Sequence, residues 1–162
     1  LADYYSKTND VIEYTVKELE KRQGYRPQLI CILQCTSPLR TSEDIDNTIR
    51  KLFSTNSDSA VSIAEVKSNP YWTNILVDDK LRYFIDEGKK IKRRQDLPPI
   101  YEINGAVYVV KTDVFFKERN LETKNITGYI MKTEHSIDID NIIDFKMAEI
   151  MYTYNIEKAK NE

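Results

Sequence analysis

The apolar residues of this chain fall into short unbroken runs separated by longer stretches of mixed character, and that alternation restricts the fold more than any other feature. The runs lie in PQLICILQC, SAVSIAEV (59–66), GAVYVVK (105–111) and GYIM (128–131). A strand buried on both faces reads as a continuous apolar run of this kind. Between the runs the spacing turns helical. Val11, Ile12, Val16 and Leu19 form one stripe, with Thr8 or Asn9 as its expected cap. Ile45, Ile49 and Leu52 form a second, with Ser42 as cap and Glu43 and Asp44 at the positive end. A third helix is expected over 141–154, with Ile143, Phe145, Met147, Ala148 and Ile150 supplying its apolar surface. Strands alternating with helices predict an α/β sheet with mostly parallel strands. In such sheets ligands collect beyond the carboxyl ends of the strands. One stretch stands apart: in 68–90, NILV and LRYFI flank Asp78 and Asp79, which reads as a hairpin or arm projecting from the body.

A chain of 162 residues can bury a real core as one domain. No apolar run approaches the about 18 residues needed to span a bilayer, and no secretory signal is visible. The formal net charge of -2 gives no general attraction to nucleic acid or to a membrane surface. A cytoplasmic protein is the expectation. Cys31 and Cys35, with one histidine in the whole chain, are too few for a zinc site, and their spacing is not a redox motif. Both are expected to be buried free thiols.

Three segments carry possible chemistry. SIDID places Asp138 and Asp140 two residues apart, so an extended backbone presents both carboxylates on one side, with Ile137 and Ile139 opposite. Magnesium takes one or two carboxylates and completes its shell with water and phosphate oxygens, which suits such a pair. A solvated edge produces the same pattern. LQCTSPLR brings a strand to its end at Gln34, whose carboxamide can bond a polyhydroxylated ligand, although Thr36 and Ser37 also suit a turn and a helix start. RRQDLPPIYEINGAVYV offers Arg93 and Arg94 for an anionic group, then an Asn104–Gly105 turn into the strand bearing Tyr108. A basic solvated loop before an ordinary strand fits that segment as well.

Taken together and in order, LQCTSPLRTSEDID, RRQDLPPIYEINGAVYV and GYIMKTEHSIDIDNIIDFKMAE resemble the acylneuraminate cytidylyltransferase family, the synthetases of activated sialic acids. The family patterns are L-Q-P-T-S-P-L-R, R-x-Q-D-L-P…N-G-A-I-Y and S-I-D-I-D…D-F…A-E, and the resemblance covers nearly the whole chain. It implies a Rossmann-like nucleotidyltransferase domain that moves CMP from CTP to the anomeric hydroxyl of a nine-carbon 2-keto sugar acid, with release of pyrophosphate. It also implies a homodimer whose arms, here residues 68–90, cross to the partner.

Carried over by residue, Asp138 and Asp140 match the Mg2+-binding aspartates. Gln34, Arg94, Asn104 and Tyr108 match positions that hold the sugar acid, with Arg94 on its carboxylate. LADYYSKTNDVI is similar to the family's L-A-x-D-x-A-S-S-x-D-V, which puts Ser6 and Thr8 near the nucleotide, although Tyr4 stands where the family has aspartate. Transfer of this type needs positioning and charge neutralisation more than a covalent nucleophile. A metal on the two aspartates would polarise the α-phosphate and favour ionisation of the attacking hydroxyl. His135 follows no family motif.

Three departures bear on activity. The family's I-P-A-R-x-G-S-K loop, which cradles the triphosphate, has no counterpart in this sequence. The expectation is therefore an N-terminally incomplete domain that is inactive alone. NPYW (69–72) stands near where some members offer a lysine to the partner's site. The residues at 120–122 replace an aromatic pair. Both point to a legionaminic- or pseudaminic-type acid rather than ordinary sialic acid, and another nucleotide base is open. The alternatives are a non-catalytic sugar-acid-binding or regulatory module derived from the family, and a metal-dependent glycosyltransferase. The position of D-x-D just before the last helix disfavours the glycosyltransferase.

Overall fold

The computed structural model describes residues 7–161. Its elements run α1 (Thr8–Gln23), β1 (Leu29–Ile32), α2 (Ser42–Ser54), β2 (Ser59–Glu65), β3 (Asn74–Val77), β4 (Lys80–Tyr83), β5 (Tyr101–Lys111), α3 (Thr112–Glu118), β6 (Ile126–Ile130) and α4 (Ile142–Asn161). Two compact units result. Ala64–Glu102 forms the smaller, and the rest of the described chain the larger. The larger is an α/β unit around a four-stranded sheet of order β1-β5-β2-β6.

The sheet is mixed, not mostly parallel. β2 and β6 are parallel, with Val61 opposite Gly128. β1 and β5 are antiparallel, with Leu29 opposite Lys111 and Ile32 opposite Tyr108. The β5 backbone also runs against β2, since the Lys111 N–H donates to the Asp58 carbonyl while the Val107 N–H reaches the Ser62 hydroxyl. A doubly buried strand has the same apolar run in either direction, so its sequence does not encode which way it points. Parallel neighbours need a crossover connection, usually a helix, and antiparallel ones do not. The chain between β2 and β5 passes through the smaller unit instead of a crossover helix.

Helices cover both faces of the sheet. On one, Leu52 of α2 packs with Ala60, Val107, Val109 and Met131, flanked by Ile45 and Ile49. On the other, Ile12 and Val16 of α1 pack with Ile30, Val110 and Phe115. Adjacent residues Val109 and Val110 thus serve opposite layers, as the period of two along a strand requires. The α2 stripe is as its spacing predicts, but its cap is Thr41 rather than Ser42. The Thr41 hydroxyl accepts from the Asp44 N–H at 3.2 Å and the Asp44 carboxylate accepts from the Thr41 N–H at 2.8 Å, a closed capping box. α1 begins after Lys7 with no side-chain cap, so neither Thr8 nor Asn9 takes that role.

Other expectations need correction. Cys31 and Cys35 are both exposed free thiols. β1 is only four residues long, and Cys35 lies beyond it in the turn. Asn104 and Gly105 lie inside β5 and make no turn into it. The SIDID segment pairs in no sheet. α4 is longer than its spacing predicts and buries little: of its expected apolar surface only Ala148 is in the core, while Ile143, Phe145, Met147 and Ile150 are exposed. No helix among the described residues is long and apolar enough to cross a membrane.

In the smaller unit β3 and β4 form an antiparallel hairpin, Leu76 facing Leu81 across the strands, as the sequence predicts. Its turn residues Asp78 and Asp79 both take positive φ, a conformation aspartate tolerates better than most side chains. Gly88 is buried because it must be. A Cβ there would lie 1.7 Å from the Tyr71 carbonyl oxygen.

Candidate active site

The segment after β1 is held by its own arginine. Arg40 donates from Nη1 to the carbonyls of Gln34 (2.6 Å) and Ser37 (2.7 Å), and the Ser37 N–H bonds back to Gln34 at 3.3 Å. Arg40 is thereby committed to shaping the turn. Leu39 anchors that turn in the core, and the Gln34 side chain stays exposed.

Ser37 is fully buried. Its hydroxyl lies 3.4 Å from the Asn104 carbonyl and 3.3 Å from Asp138 Oδ1. The Thr36 carbonyl accepts from the Ile139 N–H at 2.8 Å. Two segments about a hundred residues apart in sequence, LQCTSPLR and SIDID, are thus bonded side chain to side chain and backbone to backbone.

Asn104 organises the other side of this junction. It is 7% exposed, and its carboxamide is fully engaged. Oδ1 accepts from the Ser62 hydroxyl (2.6 Å) and the Ala106 N–H (3.2 Å), and Nδ2 donates to the Ser136 hydroxyl (3.0 Å) and toward Met131 Sδ (3.3 Å). Ser62 also accepts from the Val107 N–H at 2.8 Å. A buried amide satisfied on every side is rigid, because any rotation leaves a polar atom unpaired. Gly105 comes next with φ of 75°, a left-handed value that glycine accepts without strain. A Cβ at that position would lie 3.2 Å from Gln34 Oε1 and 3.6 Å from both Asp138 Oδ2 and Ser37 Oγ. The absent side chain therefore leaves a small polar hollow bounded by a carboxamide, a hydroxyl and a carboxylate.

Asp138 is half-buried at this hollow and Asp140 is exposed. Ile137 and Ile139 are half-buried rather than sealed in the core. The N–H groups of Asp140 and Asn141 both donate to Asp144 Oδ2, at 3.1 and 3.2 Å, which fixes the downstream end of the segment to the first turn of α4. Among the described residues no group of three or more His, Cys, Asp and Glu side chains is arranged to hold a metal. That rules out a complete protein cage among those residues. A hard cation such as Mg2+ needs only one or two carboxylates when water and phosphate supply the rest, so Asp138 and Asp140 fit it by donor type. The half-buried Tyr108 phenol is pushed above its ordinary pKa, chiefly by burial and further by the carboxylates of Glu122 and Asp138, and stays a neutral donor at physiological pH.

Three further sequence-predicted residues complete the set. Arg94 belongs to the smaller unit, where it lines a cavity of about 540 Å³ with Lys67, Trp72, Thr73 and Gln95. Thr8 is exposed at the start of α1, and Ser6 lies outside the described residues. The parts played by Ser37, Ser62 and Ser136 emerge only in three dimensions. Of these, Ser62 alone leaves a trace in the sequence, as a polar residue inside an otherwise apolar run.

No family model matches the chain. It is nevertheless related to N-acylneuraminate and pseudaminic acid cytidylyltransferases, as its motifs imply. It is 31% identical over 155 residues to an N-acylneuraminate cytidylyltransferase of Streptococcus agalactiae, covering 94% of this chain and 36% of that protein. It is 23% identical over 159 residues to a pseudaminic acid cytidylyltransferase of Campylobacter jejuni, covering 98% of this chain and 68% of that protein. A CMP-N,N'-diacetyllegionaminic acid synthase of Campylobacter jejuni is 25% identical over 91 residues, covering 56% of this chain and 38% of that protein. The chain spans about a third of the length of the streptococcal relatives it matches.

Proposed function

We propose that this chain is part of an enzyme that activates a nonulosonic, sialic-acid-like sugar acid by transferring CMP to it from CTP. The anomeric hydroxyl oxygen forms a bond to the α-phosphorus, the bond from that phosphorus to the pyrophosphate oxygen breaks, and the hydroxyl proton passes to solvent or a nearby base. The observation that carries the reading is the convergence of Gln34 Oε1, Ser37 Oγ and Asp138 Oδ2 around Gly105, which lacks a side chain. The relatives' names supply the substrate class.

In this reading Gln34 and Tyr108 bond sugar hydroxyl or acyl groups, and Tyr108 does so as a neutral donor. Asn104 serves the sugar site by holding its neighbours in place, since its carboxamide is engaged within the protein. Arg94 pairs with the sugar carboxylate as a fork-shaped, permanently charged donor. Ser6 and Thr8 approach the nucleotide. Asp138 and Asp140 hold Mg2+, which when bound neutralises charge on the phosphate and lowers the pKa of the attacking hydroxyl. Ser37 keeps the Asp138 carboxylate oriented, and the closed Asn104 network keeps the segment from drifting. The enzyme acts as a homodimer through the β3–β4 hairpin.

Pyrophosphate release from CTP and Mg2+ across N-acetylneuraminic, legionaminic and pseudaminic acids tests this in the full-length protein and in this chain. One acid is expected to drive release in the full-length protein, and Asp140→Ala is expected to reduce it by at least a hundredfold. Release with none of the acids, or undiminished release in Asp140→Ala, overturns the proposal.

A further inference from the structure

We propose that His135 is the positioning residue of the Asp138–Asp140 segment, tying it through the buried carboxylate of Asp44 to the start of α2. The importance given to that segment rests on the proposed role of its two aspartates. The observations themselves are independent of it.

Asp44 is 3% exposed, yet its carboxylate has more partners than a helix cap requires. Oδ2 accepts from the Thr41 N–H at 2.8 Å and the Thr41 hydroxyl at 2.7 Å, which completes the cap. The same oxygen lies 2.9 Å from His135 Nδ1, and Oδ1 lies 3.4 Å from the Tyr129 hydroxyl, which Asn47 bonds in turn. A carboxylate only accepts, so Nδ1 carries the proton in this contact. Both side chains are largely shielded from water, at 15% and 4% exposure, where a charge-assisted bond is worth more than at the surface.

The contact matters because His135 stands directly upstream of the site. It ends a tight 3-10 turn whose backbone is closed by His135 N–H to Lys132 and Ser136 N–H to Thr133, at 3.0 and 3.1 Å. Fixing the imidazole therefore fixes the turn. From there the chain enters the site at once: Ser136 meets Asn104, Asp138 meets Ser37, and Ile139 meets the Thr36 carbonyl. The downstream end is held separately by Asp144. His135 is the upstream anchor, acting beside the Ser136–Asn104 bond at 3.0 Å and the Ile139–Thr36 bond at 2.8 Å, while the Ser37–Asp138 contact at 3.3 Å is the longest of the set. His135 touches neither Asp138 nor Asp140, so it acts on them only through the backbone of the turn it holds.

The test uses the 162-residue chain, wild type beside His135→Ala and His135→Asn. Asparagine places an amide nitrogen where Nδ1 stands. Hydrogen exchange of the Ile139 amide, measured without metal, is expected to quicken at least tenfold in His135→Ala and to return toward wild type in His135→Asn. The Met131 amide, bonded to Ile63 at 2.8 Å upstream of the anchor, is expected to stay protected, which shows that the variant is folded. Mn2+ affinity, followed by electron paramagnetic resonance, is expected to fall severalfold in His135→Ala and to recover in His135→Asn. An unchanged Ile139 rate in His135→Ala, or no recovery in His135→Asn, overturns the proposal. A wild-type chain that binds no Mn2+, or an Asp138→Asn variant that binds it as well as wild type, overturns the reading of the aspartates, while amide exchange still decides the role of His135.

Discussion

Gly105 concentrates the residue-scale logic of the site. Its left-handed φ and its missing Cβ are both used, one by the path of β5 and the other by the hollow in front of Gln34 and Asp138. Gly105→Ala is expected to lose about 1–2 kcal/mol from the backbone alone. Calorimetry would read this as a melting temperature lower by about 2–8 °C. An unchanged melting point would show that β5 relaxes around the methyl group. Which residues matter here is partly legible in sequence. Gln34, Asn104 and Asp138 carry motif positions, and the structure brings all three to one junction. Ser37 and Ser62 are not legible in these roles, because a serine's task depends on which strand lies beside it. The exposure of Cys31 and Cys35 escapes the sequence for the same reason.

At the scale of elements, α2 and the β2–β5 pair make separate predictions. Thr41→Ala removes a hydroxyl that both caps α2 and donates to Asp44, and is expected to cost about 1 kcal/mol, whereas Ser42→Ala is expected to stay within about 0.5 kcal/mol. Chemical denaturation of both variants discriminates them, and equal losses would contradict the observed cap. Where β2 begins and β5 ends, Lys111 bonds Asp58 at 2.9 Å and holds its carboxyl below the usual range, mainly through that hydrogen bond. A depressed carboxyl stabilises the fold fully above its unfolded pKa, and the contribution is lost as pH falls through the folded one. Lys111→Met is therefore expected to flatten the loss of stability on the acid side, below about pH 4. An acid unfolding curve that keeps its wild-type slope would sink this assignment. The helix stripes and the apolar strands are visible in the sequence, since those depend on local period, but strand direction is not.

For the whole molecule, the proposed homodimer makes the clearest demand. Leu76 and Leu81, paired across the β3–β4 hairpin, are 67% and 72% exposed. In the proposed dimer this exposed leucine pair is the association face. Light scattering of the full-length protein is expected to give a dimer that the Leu76→Asp/Leu81→Asp pair converts to monomer. A wild-type monomer at high concentration would refute that role for the hairpin.

By itself the sequence determined the helix stripes, the short apolar strands, the β3–β4 hairpin and the kinship with sugar-acid cytidylyltransferases, because periodicity and motif order are properties of neighbours along the chain. Only the tertiary structure decided that β5 runs against its neighbours, that Asn104 spends its carboxamide inside the protein, and that His135 reaches Asp44. Those facts depend on groups tens of residues apart meeting in space, where a hydrogen bond must close or a polar atom is left buried without a partner.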